Sequence, residues 1–308
     1  MRVLVTGGAG FIGSHVVERL LATGADVVVV DNLSLGRREN VPQAARFIQG
    51  DILQSHEWIR SVGSIDAVIH LAAQISVALS ETQPQKDVMT NVLGTVAMLE
   101  AARTLDCHEF RFASSAAVYG DNQKLPLNED EVLNPLSYYG LDKMVAEQYI
   151  RHESDRRRVT GIILRMANVY GPRQRTQGEG GVVAIFSDAL AKGRVPFIEG
   201  DGEQTRDFVA ATDVARAFCH NLGQANRSAT YNIGTQTATS VNQLWETLAT
   251  MAGLDVSAVG RVQSRAQDIR HSRLSISRAT DWGFHPLVVL TQGLEETYAW
   301  FRQTDENG

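Results

Sequence analysis

The chain has 308 residues, 44% of them hydrophobic and 21% charged, a composition typical of a globular protein that buries a core without disulfides or metals. Its net charge of −6 argues against nucleic-acid binding through bulk electrostatics. The two cysteines, Cys107 and Cys219, form neither a disulfide framework nor a zinc motif, so we expect a reducing compartment, the cytoplasm.

Short β-branched runs alternate with segments of helical spacing through the first half of the chain. The strand Arg2–Thr6 is followed by a helix at Ser14–Thr23 and by a strand at Asp26–Val30 that contains four consecutive valines. So apolar a run indicates a parallel sheet buried on both faces. The alternation also predicts strands at Arg46–Gln49, Ala67–Leu71, Glu109–Ala113 and Gly161–Arg165, and helices at Ser55–Ser61, Asn91–Leu105 and Tyr138–His152. We therefore predict an α/β protein with a Rossmann-type doubly wound parallel sheet.

The rhythm changes after Tyr170. Gly171–Gly181 is rich in Gly, Gln and Arg and is predicted to be a loop. A helix at Val182–Lys192, a strand at Val195–Glu199 and a final helix at Leu290–Arg302 are predicted beyond it. We therefore predict a first domain over residues 1–168, to which a segment at about 206–232 returns, and a smaller mixed α/β C-terminal domain over residues 169–308.

A glycine-rich turn follows the first strand. The segment Thr6–Gly13 reads TGGAGFIG and leads directly into a helix. These glycines permit a tight turn and let a pyrophosphate approach the amides of a helix N-terminus. Asp31, 18 residues after Gly13, can accept hydrogen bonds from both hydroxyls of an adenosine ribose and would repel a 2′-phosphate. The first domain is therefore predicted to bind NAD rather than NADP, a preference that Arg37 and Arg38 weaken.

A phenol and an ammonium four residues apart, Tyr139 and Lys143, lie on one face of a predicted helix. A nearby ammonium favours the phenolate, whose ordinary pKa is about 10. Such a tyrosine can take a proton from an alcohol while a nicotinamide takes the hydride. Ser115 follows a strand, at the sheet edge where ligand chemistry gathers, and can hold the same substrate oxygen. We therefore predict Ser115, Tyr139 and Lys143 as the catalytic residues.

The glycine turn, Asp31 and the Ser115, Tyr139 and Lys143 set are part of a wider resemblance. Over nearly its whole length, the sequence resembles the extended short-chain dehydrogenase/reductase superfamily, in its NAD-dependent epimerase/dehydratase branch. The other matching segments are Asp31–Leu33, Gly50–Ile52, His70–Ala73, Asn91 with Gly94-Thr95, Ser114–Gly120 and Leu164–Arg173. The resemblance implies that Asp51 and Ile52 lie beside adenine, that Lys143 contacts the nicotinamide ribose, and that Asn91 supports the cofactor site. The implied cofactor-binding residues are Gly7, Gly10, Phe11, Ile12, Gly13, Asp31, Asn32, Asp51, Ile52, Leu71, Ala72, Ala73, Asn91, Ser114, Tyr139, Lys143 and Met166.

The resemblance also bears on the reaction. Ala116 and Ala117 stand where 4,6-dehydratases carry an Asp-Glu pair, and decarboxylating relatives have a glutamate just before Val-Tyr-Gly. Alanine cannot act as an acid or a base. The resemblance therefore implies 4-epimerisation through a transient 4-keto sugar, as in the UDP-glucose 4-epimerase family. Two departures from the family's pattern are Met166, for a more usual aromatic, and Asp142, for a more usual serine.

The C-terminal part resembles the nucleotide-binding part of these epimerases. The resemblance implies that Arg206 and Arg265 hold a diphosphate, because guanidinium groups bind phosphate oxygens in a fixed fork. Asp268 would accept hydrogen bonds from the nucleotide's ribose. Ser272 aligns with a bulky tyrosine of glucose-restricted epimerases, so it leaves room for an N-acetyl group. The expected substrates are UDP-glucose and UDP-galactose, with room for the N-acetylhexosamine pair. The implied substrate-binding residues are Ser115, Asn168, Arg206, Arg265, Asp268 and Ser272.

Two alternatives stay open at this point: an epimerase or reductase for another nucleotide sugar (a UDP-uronate or a dTDP- or GDP-hexose), and a non-catalytic NAD-binding regulator. The resemblance implies a homodimer formed through the helices at Asn91–Leu105 and Tyr138–His152. The eight histidines have no metal-ligand spacing, so no metal is predicted. Neither a signal peptide nor a membrane-spanning segment is predicted, because the apolar runs are too short.

Overall fold

The structure, a computed structural model, describes residues 1–156, 158–176, 180–263 and 269–306. Its strands are β1 (Arg2–Thr6), β2 (Asp26–Asp31), β3 (Arg46–Gln49), β4 (Ala67–His70), β5 (Glu109–Ser115), β6 (Thr160–Met166), β7 (Asn168–Tyr170), β8 (Phe197–Glu199), β9 (Thr205–Arg206), β10 (Phe208–Ala210), β11 (Ala229–Ile233), β12 (Thr239–Ser240) and β13 (Gly260–Val262).

From β1 to β6 helical segments separate successive strands, as the sequence predicts, and beyond β6 the order is less regular. The described residues form these α-helices. They are α1 (Phe11–Ala22), α2 (Ser55–Val62), α3 (Val77–Thr82), α4 (Pro84–Val88), α5 (Gly94–Thr104), α6 (Tyr138–Asp155), α7 (Val182–Ala191), α8 (Ala211–Cys219), α9 (Val241–Ala252), α10 (Ser277–Asp281) and α11 (Leu290–Glu306). A π-helical turn (Met89–Leu93) joins α4 to α5, and short 3₁₀ turns occur at Arg38–Asn40, Ile52–Gln54, Ala116–Tyr119 and Val256–Ala258.

The chain divides into two units. The first comprises residues 1–120, 132–166 and 214–231, and the second comprises residues 121–131, 167–213 and 232–308. The sequence-based boundaries stood at residue 168 and at about 206–232. The segment 121–131 belongs to the second unit because its backbone pairs there: Leu127 N–H donates to the Arg273 carbonyl at 2.9 Å, and Ser275 N–H donates to the Leu127 carbonyl at 2.7 Å.

A seven-stranded sheet forms the first unit, in the order β11-β6-β5-β4-β1-β2-β3. The pairs from β3 through to β6 are all parallel. The run Val27–Val30 is fully buried in β2, because helices cover the sheet on both faces, as the four valines indicated. The predicted Rossmann-type doubly wound α/β fold is confirmed. Parallel pairing puts the carboxyl ends of β1, β2, β4 and β5 at one edge of the sheet.

One predicted helix differs from the structure. The segment predicted as a helix over Asn91–Leu105 begins earlier, because α4 and the π-helical turn precede α5. The π turn adds one residue to the helical path, and π turns recur at functional sites. It carries Asn91, whose buried side chain bonds to the backbone of Gln74. No apolar period announces such an insertion, so the sequence alone could not place it.

The second unit contains short strand pairs (β7 with β10, β9 with β12, β8 with β13) and the helices α7, α9, α10 and α11. Its core includes Phe186 and Trp245, whose rings meet edge to face with their centroids 6.0 Å apart. Ser240 caps α9 in a reciprocal capping box with Gln243. The predicted strand Val195–Glu199 is limited to Phe197–Glu199. Among the described helices, none combines the length and the apolar character needed to cross a bilayer.

Candidate active site

The glycine turn between β1 and α1 leaves no room for side chains. Gly7 has a positive φ of +71°, and a Cβ there would lie 2.6 Å from the backbone nitrogen of Ala72. A Cβ at Gly13 would lie 2.0 Å from the Gly7 carbonyl oxygen, so α1 begins directly against the turn. Ser14 N–H donates to the Gly10 carbonyl, while the amides of the helix's first turn have no helical acceptor. This cradle fits a pyrophosphate.

Asp31 lies at the end of β2 beside the glycine turn. Its Oδ2 accepts a hydrogen bond from Ala9 N–H at 3.0 Å and its Oδ1 accepts one from Leu33 N–H at 2.8 Å. Burial raises the pKa of Asp31, and these two backbone hydrogen bonds oppose that rise. Each carboxylate oxygen keeps a second lone pair for a ribose hydroxyl. Nearby, Asn32 donates to Asp51 Oδ2 at 3.1 Å, so the positions predicted to lie beside adenine are linked to the end of β2.

A buried polar chain fixes the end of β4. His70 is 1% exposed, with Nδ1 2.7 Å from Thr6 Oγ1 and Nε2 3.2 Å from Thr95 Oγ1. Burial, aided by the charge of Lys143, lowers the pKa of His70 to about 3, so the ring is neutral. Ala72 N–H donates to Thr6 Oγ1 at 3.3 Å. The segment Leu71–Ala73, predicted to contact the cofactor, is thereby held against the glycine turn.

Asn91 fixes the next residue of the same segment. Its Oδ1 accepts from Gln74 N–H and its Nδ2 donates to the Gln74 carbonyl, both at 2.9 Å. Gln74 in turn donates from Nε2 to Asp87 Oδ1 on α4. Asn91 therefore acts on the predicted cofactor segment through backbone hydrogen bonds, as a supporting residue does.

Helix α6 carries the predicted acid/base pair. Ser137 caps it by accepting a hydrogen bond from Gly140 N–H at 3.1 Å, and Tyr139 in its first turn is half-buried. Lys143 Nζ lies 5.9 Å from the centroid of the Tyr139 ring and donates to the Ala113 carbonyl of β5 at 2.9 Å. Burial lowers the pKa of Lys143 to about 8, against the opposing charges of Asp87 and Glu147. The ammonium is thus fixed beside the phenol, as the four-residue spacing predicts.

The end of β5 presents two serines with different surroundings. Ser115 is half-buried, and its Oγ accepts a hydrogen bond from Ala117 N–H at 3.2 Å. Ser114 is fully buried and donates its hydroxyl to Glu147 Oε1 at 2.5 Å. Met166, also in the predicted cofactor set, pairs with Ser115 in the sheet register. Lys143 bonds two residues before Ser115, so the catalytic candidates meet at the carboxyl end of β5.

Three of the predicted substrate residues are neighbours within the second unit. Asn168 N–H donates to the Asp207 carbonyl at 2.9 Å, next to Arg206 in the chain. Ser272 N–H donates to the Thr205 carbonyl at 3.1 Å, so Ser272 adjoins the other side of Arg206. Asn168 is exposed, while Arg206 and Ser272 are half-buried. The other two predicted residues, Arg265 and Asp268, lie outside the described residues.

The sequence did not reveal several residues that hold the site. Asp207 is buried and binds Thr235 N–H at 2.8 Å and Thr235 Oγ1 at 2.7 Å, fixing the backbone behind Arg206. Glu147 lies one helical turn after Lys143, and this i,i+4 spacing was its only signal. Asp87 and Gln74 had no recognisable signal. Within the described ranges, no group of three or more His, Cys, Asp or Glu side chains could hold a metal ion.

Comparison with known proteins matches residues 3–234 to the sequence model of the NAD dependent epimerase/dehydratase family. A UDP-glucose 4-epimerase of Mycolicibacterium smegmatis is 40% identical over 99% of this chain and 100% of its own length. The crystal structure of a Thermotoga maritima UDP-glucose 4-epimerase with UDP-glucose is 41% identical, with a TM-score of 0.94 over 99% of each chain.

A second solved structure is similar to the same extent of the chain. It is a UDP-N-acetylglucosamine 4-epimerase from Methanobrevibacter ruminantium in complex with UDP-N-acetylmuramic acid. It is 31% identical, with a TM-score of 0.93 over 98% of each chain. The glycine cradle, the acid that ends β2 and the Tyr139–Lys143 pair agree with these matches. The chain therefore belongs to the NAD-dependent epimerase/dehydratase family and is an NAD-dependent epimerase.

Proposed function

We propose that this enzyme interconverts the C4 epimers of a UDP-hexose, UDP-glucose and UDP-galactose, and that it also accepts the N-acetylhexosamine pair. The observation that carries the chemistry is the position of Lys143, whose Nζ lies 5.9 Å from the Tyr139 ring centroid and bonds to the end of β5. An ammonium held there stabilises a phenolate. The relatives named above, which are UDP-glucose and UDP-N-acetylglucosamine 4-epimerases, support the substrate class.

In the proposed mechanism the Tyr139 phenolate takes the proton of the C4 hydroxyl as that carbon is oxidised to a carbonyl. NAD, when bound, would supply the hydride acceptor and donor for C4. Lys143 keeps Tyr139 ionised by its positive charge, and the Ser115 hydroxyl donates a hydrogen bond to the sugar oxygen. After the keto sugar rotates and presents its other face, Tyr139 returns the proton to the C4 oxygen. No net oxidation results.

The residues present fit NAD in two places. The Gly7–Gly13 cradle gives a pyrophosphate access to the first-turn amides of α1, because a Cβ at Gly7 or at Gly13 would collide with backbone. The Asp31 carboxylate keeps acceptor capacity toward a ribose and disfavours a 2′-phosphate by charge. Asn32, Asp51 and Ile52 would line the adenine end. The remaining members of the proposed cofactor set are Leu71, Ala72, Ala73, Asn91, Ser114, Tyr139, Lys143 and Met166.

The substrate assignment rests on the second unit. Asn168 and Arg206 are neighbours there, and with Arg265 they would hold the diphosphate of a UDP-sugar, while Asp268 would bind its ribose. Ser272 is small and adjoins Arg206 through Thr205, so we propose that it leaves room for an N-acetyl group. After Ser115 the chain continues as Ala116-Ala117 in a 3₁₀ turn, which offers no second acid or base for an elimination.

We also propose that the enzyme is a cytoplasmic homodimer. Several large apolar side chains on α4, the π-helical turn and α6 are exposed in the single chain. They are Val88, Met89, Leu93, Leu141 and Tyr149, each between 38% and 50% exposed. A second copy packed on this face would remove them from water.

An NMR time course tests the proposal directly. Purified protein with NAD is incubated separately with UDP-glucose, UDP-galactose, UDP-N-acetylglucosamine and UDP-glucuronate. The 4-epimer is expected from the first three. If UDP-glucuronate alone is converted, the substrate is a UDP-uronate and the UDP-hexose assignment is wrong. If NAD binds and none of the four sugars reacts, the UDP-hexose assignment gives way to another nucleotide sugar, such as a dTDP- or GDP-hexose.

A further inference from the structure

Two buried carboxyl groups meet beside Lys143. Asp87, on α4, is completely buried, and Asp142, on α6, is 6% exposed. Their side chains are close enough to hydrogen-bond each other. Asp87 Oδ2 and Asp142 Oδ2 are both buried oxygens that receive no hydrogen bond from any donor among the described residues. Two ionised carboxylates at such a contact would repel each other in a medium of low dielectric.

A single proton between the two groups resolves both problems, because it gives one oxygen a donor and removes one of the two charges. We propose that Asp87 and Asp142 share one proton, that the pair therefore carries one negative charge beside Lys143, and that Asp142 is a positioning residue which tunes the Tyr139–Lys143 couple through that charge. The tuning part rests on the catalytic roles proposed above for Tyr139 and Lys143. The proton-sharing part does not.

The carboxyl groups of Asp87 and Asp142 have different hydrogen-bond donors. Gln74 Nε2 donates to Asp87 Oδ1, so this oxygen of Asp87 already has a hydrogen-bond donor. Among the described residues, no donor to Asp142 Oδ2 is found. Burial, followed by the contact with Asp87, raises the pKa of Asp142 to about 7. The shared proton is therefore present in mildly acidic solution and is lost near neutrality.

Other titratable groups near the Asp87–Asp142 pair lie on α6 and β4. Lys143 and Glu147 lie on α6 with Asp142, and Tyr139 precedes them by one turn. His70, on β4, is neutral. The charges of Asp87 and Glu147 both act to keep Lys143 protonated against its burial. Loss of the shared proton adds a second negative charge to the pair, which disfavours a phenolate at Tyr139.

The same contacts connect the pair to the predicted cofactor segment. Gln74 bonds to Asp87 through its side chain and to Asn91 through its backbone N–H and carbonyl. With the shared proton in place, one continuous chain of hydrogen bonds runs from Asn91 through Gln74 and Asp87 to Asp142. The side chain next to Lys143 is coupled to the loop that follows β4.

The decisive variant is Asp142→Asn. Its amide can donate to Asp87 Oδ2, so it keeps the contact and fixes the pair at one negative charge at every pH. Asp155→Asn is the matched control, because it removes one carboxylate from the exposed end of the same helix, roughly 20 Å away at 1.5 Å per residue. The full-length protein is used throughout.

The first measurement is a titration of the aspartate carboxyls in resting protein, by infrared carbonyl stretch or by the ¹³Cγ signal of labelled aspartate. One protonated carboxyl is expected at pH 6, lost near pH 7, absent from Asp142→Asn and retained in Asp155→Asn. A fully ionised set of aspartates at pH 6 in the unmodified protein overturns the proposal. This readout needs neither NAD nor a sugar, so it stands even if no UDP-hexose reacts.

The second measurement is the ultraviolet difference titration of Tyr139, taken against Tyr139→Phe. We expect Asp142→Asn to ionise Tyr139 at a pH lower by about half a unit or more than the unmodified protein, while Asp155→Asn leaves it unchanged. Below pH 6 the unmodified protein and Asp142→Asn should coincide. Equal titration midpoints in the two would refute the tuning role of Asp142.

Discussion

Glu147 accepts two hydrogen bonds from the guanidinium of Arg165, at 2.9 Å from Nε and 2.7 Å from Nη2, where both side chains are almost completely buried. Glu147 also accepts from Ser114 at 2.5 Å, and Arg165 donates to the Tyr119 hydroxyl at 3.0 Å. The group joins α6 to β5 and β6 directly behind Lys143. It fixes the helix that carries Tyr139 and Lys143, the proposed catalytic pair, relative to the sheet edge that carries Ser115.

Replacing Glu147 by Gln is expected to lower the free energy of unfolding by about 3 kcal/mol, because it leaves the Arg165 charge buried without a counterion. Urea unfolding measures the loss. Glu153→Gln on the same helix is the control. Its ion pair with Arg158 is solvent-exposed, with 3.2 Å between Oε1 and Nη1, so that loss should stay within about 1 kcal/mol. Equal effects of the two substitutions would contradict this account.

Asp31→Asn should weaken NAD binding about tenfold or more, because it removes a charged acceptor from the ribose position. The affinity for NADP should fall less or rise, since the repulsion of its 2′-phosphate is gone. Calorimetric titration with both dinucleotides measures the ratio. Asp26→Asn, at the exposed start of the same strand, removes the same charge and should leave the ratio unchanged. An unaltered ratio in Asp31→Asn would remove Asp31 from cofactor selection.

His70 should make the fold sensitive to acid. Its folded pKa is about 3, below its usual 6.5, so the unfolded chain binds a proton that the folded protein does not. Stability is therefore complete above pH 6.5 and falls as the pH drops towards 3, by about 1.4 kcal/mol per pH unit. Between pH 7 and pH 5 the protein should lose about 2 kcal/mol more than His70→Asn does.

Urea unfolding at pH 7, 6 and 5 measures how the free energy of unfolding changes with pH in the unmodified protein and in His70→Asn. His152→Asn serves as the control, because His152 is exposed on α6 and its replacement should retain the slope of the unmodified protein. If His70→Asn and the unmodified protein lose stability in parallel, the ring is not the group that titrates.

Tyr139→Phe should reduce turnover of the UDP-hexose by a factor of about 10² to 10⁴, the usual contribution of a positioned acid/base group, and leave NAD affinity unchanged. Lys143 keeps its hydrogen bond to the Ala113 carbonyl in this variant, so the fold should persist. Tyr138→Phe, at the exposed neighbouring position, is the control and should retain full turnover. Undiminished activity in Tyr139→Phe would assign the proton transfer to another group.

Ser272→Tyr should narrow the substrate range. A phenol at this position would occupy the space proposed for the N-acetyl group, so conversion of UDP-N-acetylglucosamine should fall about 100-fold while UDP-glucose is affected only a few-fold. Ser277→Tyr places the same ring on an exposed position of the second unit as a control. Comparable losses on both sugars in Ser272→Tyr would mean that the residue does not discriminate between them.

The sequence could assign those residues whose separation along the chain matches the separation that their chemistry needs. Asp31 follows the glycines at the distance of one βαβ step, and Tyr139 precedes Lys143 by one helical turn. Both relationships reappear in the structure as contacts with the glycine turn and with the ammonium. Arg265 and Asp268 were assigned by resemblance alone, and their roles stay predictions.

The sequence by itself determined the class of the fold and the positions proposed for the cofactor cradle and the acid/base pair, because these depend on local periodicity, on glycine stereochemistry and on separations of a few residues. Only the tertiary structure decided what lies behind them. Asp87 and Asp142 are 55 residues apart in the chain, and Glu147 and Arg165 are 18 apart. Such pairs meet only when helices pack on the sheet and exclude water, and burial, which no local pattern encodes, is what turns an ordinary carboxyl into one that keeps a proton or holds a buried cation.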